Sequence, residues 1–170
     1  WGYFLKTMAR QIQFPDTKQG LTWVVVGPGG TGKNMVGEAF GNIVQSHHYY
    51  CTDRPDDLFG KHAEGRVHRL ILVMNETEGR ETMLIQGRIK AQATEEDFTV
   101  NRKNQRPTQE KDYAILLVFS NNPKPIQVDQ KGGGERRINV ARNTDKYTNS
   151  KKFPHRFWQS FKRHIATPVF

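Results

Sequence analysis

Apolar positions along the chain gather into short runs separated by amphipathic stretches. "LTWVVV" at 21–26 reads as a buried strand, and "YYC" at 49–51 as a second. "RLILVMNE" at 69–76 is apolar without alternation, as a strand covered on both faces should be. "YAILLVFSNN" at 113–122 is another buried strand, and "RRINVA" at 136–141 a short one. Between them the period lengthens. Met35, Val36, Ala39, Phe40, Ile43 and Val44 recur at helical spacing, although Gly37 and Gly41 each weaken that helix by about 1 kcal/mol relative to Ala. "ETMLIQGRIKAQ" at 81–92 can form an amphipathic helix, and "PHRFWQSFKRHI" at 154–165 puts Phe157, Trp158, Phe161 and Ile165 on one helical face. "DFTVNRK" at 97–103 alternates and ends in charge. Strands alternating with helices predict an α/β fold with a mostly parallel central sheet. Residues 1–20 are mixed and polar, a lead-in helix or linker, and residues 21–170 form one domain. Two stretches break the alternation: the basic segment 97–112 and the glycine-rich run "KGGGERR" at 131–137.

Composition narrows the partners. The chain has 170 residues, a formal charge of +9 and a pI near 9.8, which points to a polyanionic partner: nucleic acid, a nucleotide or an anionic membrane. The longest clean apolar run, "AILLVF" at 114–119, is far too short to span a membrane. No signal peptide is recognisable, and a start at Trp1 suggests a domain taken from a longer protein. Cys51 is the single cysteine, so no internal disulfide can form, and a reducing, intracellular setting is expected.

The chemistry begins after the first strand. Gly27-Pro28-Gly29-Gly30-Thr31-Gly32-Lys33-Asn34 meets the pattern G-x-x-x-x-G-K. Glycines let the backbone wrap so that N–H groups point at phosphate oxygens, the following helix adds its positive end, and Lys33 reaches the terminal phosphates. This is a P-loop nucleotide site, rather than a ligand-free glycine turn. Asn34 stands where a hydroxyl normally ligates Mg²⁺, and its amide oxygen is also a hard ligand. The strand "LILVMNE" ends in Glu76, whose carboxylate would hold Mg²⁺ through water or orient the attacking water. Asn75 occupies the first position of the usual acidic pair, so one carboxylate serves, or Glu78 helps.

The order "GPGGTGKN", "LILVMNE", "GRIKAQATEEDFTVNRKNQRP", "ILLVFSNN", "ERRINV" resembles the superfamily-three helicases of DNA viruses and phages, and most of all their primase-associated branch. The resemblance runs from residue 21 to about 163. It implies an AAA+-type core with an inserted basic β-hairpin, and Mg-ATP-driven translocation on single-stranded DNA by a ring, usually a hexamer. It also implies a linked primase or polymerase and a site of viral or phage DNA replication in the host cytoplasm. Residue by residue, Thr31, Lys33 and Asn34 match the phosphate loop, and Glu76 the catalytic acid. Asn121 matches the sensor that reads the γ-phosphate, and Lys103 the basic residue of the DNA-tracking hairpin. Arg136 or Arg137, after Glu135, matches the arginine finger offered to the next subunit.

The residues agree on their own terms. Asn121 ends an apolar strand, where it can bond a phosphate or the attacking water, against a reading of "SNNPKP" as plain turn chemistry. Arg102, Lys103, Arg106 and Lys111 surround an expected turn, and such loops hold phosphates by charge without reading sequence. Arg136 and Arg137 could place a guanidinium rigidly before a strand, or form a surface ion pair. "HHYYC" at 47–51 lacks the spacing of a metal site. Two other functions fit parts of the pattern. One is a small nucleotide or metabolite kinase with "KGGGERR" as lid; the other is a non-motor, nucleotide-dependent DNA binder.

Overall fold

The computed structural model describes residues 1–75, 79–126 and 136–144, with Arg156, Gln159, Ser160 and Arg163. In chain order the elements are α1 (Gly2–Gln13), β1 (Thr22–Val26), α2 (Lys33–Val44), β2 (Tyr49–Thr52), α3 (Asp56–Phe59) and β3 (Ile71–Met74). There follow α4 (Gly79–Thr94), β4 (Asp97–Val100), β5 (Thr108–Lys111), β6 (Ile115–Ser120) and β7 (Ile138–Arg142). Five strands form a parallel sheet in the order β2-β3-β6-β1-β7. The helix expected over 154–165 lies outside the described residues apart from the four positions named.

The sheet explains the unbroken apolar runs. Val24, Val26, Leu72, Met74, Leu116 and Val118 point to one face, where Leu58 of α3 and Ile85 and Ile89 of α4 cover them. Their neighbours Trp23, Val25, Ile71, Val73, Leu117 and Phe119 point to the other face, under α1 and α2. A strand buried on both sides cannot alternate in polarity. Helix α1 belongs to this second layer. Phe4 and Met8 are fully buried, and Phe4 meets the Trp23 ring edge-on with centroids 5.1 Å apart. Burying two such side chains stabilises by roughly 1.5–3 kcal/mol each.

The glycines of α2 answer their own cost. A Cβ at Gly41 would lie 2.9 Å from the Tyr49 ring, and one at Gly37 3.1 Å from Phe119 and 3.2 Å from Val73. They let the helix lie close on β2, β3 and β6. The buried stripe therefore runs through Met35, Gly37, Gly41 and Val44. It is narrower than the apolar periodicity suggests, and Ile43, expected on the buried face, is 60% exposed.

Strands β4 and β5 pair antiparallel outside the main sheet, from Asp97 opposite Lys111 to Val100 opposite Thr108. Phe98 and Val100 turn inward, and the pairing ends at Val100 rather than at Lys103. Past it Asn104 takes a positive φ of 61°, which turns the chain back. Among the described residues no helix is long and apolar enough to cross a membrane.

Candidate functional site

Parallel strands gather their carboxyl ends on one edge of the sheet, the usual place for a ligand in such folds. Here β1 runs into the glycine loop, β6 into Asn121 and β7 into Asn143. Gly30 and Gly32 have φ of 75° and 78°, a left-handed backbone that side chains disfavour. Gly27 has a different reason: a Cβ there would lie 2.8 Å from the Cβ of Asn143. Its N–H donates to the Ser120 carbonyl at 3.1 Å, joining the loop to β6. Thr31 is buried, and its hydroxyl donates to the Pro28 carbonyl at 2.9 Å, bracing the loop from inside. No side chain caps α2; the Met35 N–H donates to the Gly32 carbonyl at 3.1 Å, and the uncapped helix start lies beside the glycine loop.

Lys33 is only 8% exposed. Its ammonium donates to the carbonyls of Gly27 at 2.9 Å and Pro28 at 3.0 Å, and to Asn121 Oδ1 at 2.6 Å. Two residues singled out from distant parts of the sequence thus touch. They border a cavity of about 250 Å³ whose walls are Gly29–Gly32, Lys33, Asn34, Met35, Glu38, Phe119 and Asn121. Asn34 is part of this cavity's wall, and its side chain carries an amide oxygen, a hard donor of the kind Mg²⁺ takes.

At the end of β3, Asn75 donates from Nδ2 to Cys51 Sγ at 3.1 Å, and its buried Oδ1 has no partner among the described residues. Burial pushes the Cys51 thiol pKa up, and Glu38 adds to the rise, which argues against a nucleophilic thiolate. Glu76 and Glu78 lie outside the described residues, as do Glu135 and the glycine run 131–135. Among the described residues no cluster of three or more metal-ligating acids, histidines or cysteines occurs, and His48 Nδ1 instead meets the His68 carbonyl at 3.1 Å.

The other basic candidates sit elsewhere. Arg136 and Arg137 precede β7, and the Arg137 carbonyl accepts from Thr22 N at 2.7 Å. They are at the amino end of the sheet, a strand's length of about 16 Å from the cavity of their own chain. Arg102, Lys103 and Arg106 lie in the connection between β4 and β5. Arg102 folds back, donating to Thr108 Oγ1 at 3.0 Å and Glu110 Oε1 at 3.1 Å. Lys103 and Arg106 are exposed, with no ion-pair partner among the described residues.

Three features went unread in the sequence. Asn143 donates from Nδ2 toward the carbonyl and hydroxyl oxygens of Thr31 at 3.4 and 3.5 Å, steadying the loop from the neighbouring strand. Glu38 lies one helical turn beyond Asn34, a spacing that could have flagged it. Asp112, 1% exposed, receives hydrogen bonds from Arg66, from Lys18 at 3.1 Å and from Gln92 at 3.3 Å. This network fixes the base of the β4–β5 pair to α1's trailing segment, α4 and β6. Burial lowers the Lys18 pKa to about 8 against the upward pull of Asp112.

A family model described as a family of unknown function, DUF5906, matches residues 25–137. Among curated proteins the chain is 27% identical over 144 residues to the DNA primase-polymerase of Nitratiruptor phage NrS-1, covering 82% of this chain. It spans 19% of that relative's length. Among solved structures, the NrS-1 C-terminal region superposes with a TM-score of 0.80 at 21% identity, covering 97% of this chain and 38% of that one. A JCV helicase superposes with a TM-score of 0.57 at 11% identity, covering 95% of this chain and 46% of that one. At these identities the structural matches establish a shared α/β architecture, with helicase domains among its members.

Proposed function

This chain belongs to the DUF5906 family, and we propose that it is the ATP-driven motor domain of a superfamily-three-type replicative DNA helicase. The observation that carries the reading is the meeting of Lys33 and Asn121 at 2.6 Å beside the glycine loop. An uncapped helix start, left-handed glycines, a buried lysine and a polar strand end form an anion cradle with a group placed to sense its contents. In this reading the P-loop backbone holds the phosphates of ATP, and Lys33 exchanges its loop carbonyls for phosphate oxygens. Asn121 bonds the terminal phosphate or the attacking water, and Glu76 activates that water. Asn34 and Glu76 would hold Mg²⁺, which neutralises charge on the phosphate oxygens.

Arg136 or Arg137 then acts on the nucleotide of a neighbouring subunit, since neither reaches its own cavity. That requirement supports assembly into a ring such as a hexamer. The β4–β5 pair is the DNA-tracking hairpin, with Lys103 and Arg106 at its tip holding the backbone of single-stranded DNA by charge. The name of the phage relative, a DNA primase-polymerase, supports a place beside a primase or polymerase in DNA replication.

Phosphate release measured against protein concentration, with and without single-stranded DNA, tests this function. Turnover per chain should rise with concentration and with DNA, and should vanish in Lys33→Ala. Turnover indifferent to DNA and dependent on a small phosphate acceptor would replace the motor with a kinase.

A further inference from the structure

We propose that Glu38 is a metal-binding residue of the nucleotide site, holding, with Asn34, the divalent cation that accompanies the triphosphate; this rests on the nucleotide reading above. Asn34 and Glu38 are one turn apart on α2, so they share a face of the helix. Both line the cavity that Lys33 and Asn121 border. Among the described residues of its wall, Glu38 is the only acid.

That acid shares a cavity wall with groups that favour an anionic ligand. The loop, the helix start and Lys33 favour negative charge, and a carboxylate beside them repels a polyanion. A cation between carboxylate and phosphate turns the repulsion into attraction. The ordinary explanation for an acid early in a helix is the helix dipole, but that effect fades within the first turn. Glu38 is the sixth residue of α2, already in the second turn. It is also exposed, so it is not fixed in the core. At the end of β3, position 75 carries a neutral amide whose Nδ2 is committed to Cys51. A carboxylate from α2 supplies negative charge that Asn75 does not.

The test is equilibrium binding of a fluorescent ATP analogue to wild type and Glu38→Gln, each in Mg²⁺ and in EDTA. With Mg²⁺ the variant should bind about tenfold more weakly than wild type, on the scale of one charge contact screened by water, as an exposed carboxylate's is. In EDTA the order should reverse, the variant binding several-fold more tightly because the repulsion has gone. Equal dependence on Mg²⁺ in both proteins overturns the Glu38 assignment alone. No binding by wild type in either buffer overturns the nucleotide reading and this inference with it.

Discussion

The tip of the β4–β5 pair carries two cations of one kind and one of another, and the difference sets a number. Arg102 is spent within the pair, its guanidinium bonded to Thr108 and Glu110 and 30% exposed. Lys103 and Arg106 are exposed without a described partner. Among the described cations of the tip, these two are the ones left to release counterions from a bound strand. Each phosphate contact on single-stranded DNA contributes roughly 0.7 to the slope of log affinity against log salt, so Lys103→Ala/Arg106→Ala should flatten that slope by about 1.4. Between about 50 and 200 mM salt, wild type should then lose about sevenfold more affinity than the variant. The assay is fluorescence anisotropy of a labelled oligonucleotide at four salt concentrations, repeated with a second base sequence. The control removes equal charge from the exposed face of α1, at Lys6 and Arg10. A control slope as flat as the variant's would mean that the +9 charge binds DNA diffusely and that the hairpin has no special part.

Other consequences can be checked in the same protein. Lys33→Ala should abolish ATP binding and hydrolysis, whereas Glu76→Gln should bind ATP and fail to turn it over; equal losses of affinity would contradict this division of roles. Gly27→Ala should weaken nucleotide binding, because its Cβ would meet that of Asn143 at 2.8 Å, and adding Asn143→Gly should recover part of the loss by titration calorimetry. If the double variant binds no better than Gly27→Ala, the contact is not what requires glycine. Lys18 has a folded pKa of about 8, below its unfolded value near 10.5, so the unfolded chain binds more protons between those values. Its contribution to stability should therefore rise with pH across that window. Urea unfolding of wild type against Lys18→Met should show the difference growing in favour of wild type from pH 8 to 10, and a shrinking difference would contradict the sign.

The parts of the fold visible in the sequence were those where burial leaves no choice. Strands β1, β3 and β6 are covered on both faces, so their runs are apolar throughout and easily found. Lys33 and Asn121 were legible for a related reason: each sits where an apolar strand or a glycine loop stops and a polar group begins. Single polar residues whose partners come from elsewhere were harder. Lys18 reads as an unremarkable surface lysine, yet it is buried against an acid whose other partners come from positions 66 and 92. Nothing in a local window distinguishes it. Asn143 is silent for the same cause, since its role depends on β7 lying beside β1. The register of α2 was misjudged at Ile43 because two glycines, which carry no hydrophobic signal, form the contact face.

The arginines at the amino end of β7 and the cavity at the carboxyl end of β1 give the chain a direction. If those arginines complete a neighbour's cavity, the surface that gives and the surface that receives are different patches. A two-fold dimer completes both cavities only if a single self-complementary interface carries both patches, laying opposite ends of the two sheets side by side. A head-to-tail pair completes one and leaves the other open, and the same holds for the last member of any open row. For head-to-tail contacts, closure into a ring is what supplies the last cavity with an arginine. Mixed assemblies would reveal this polarity: a subunit without its arginines should hydrolyse ATP normally while silencing the neighbour it faces.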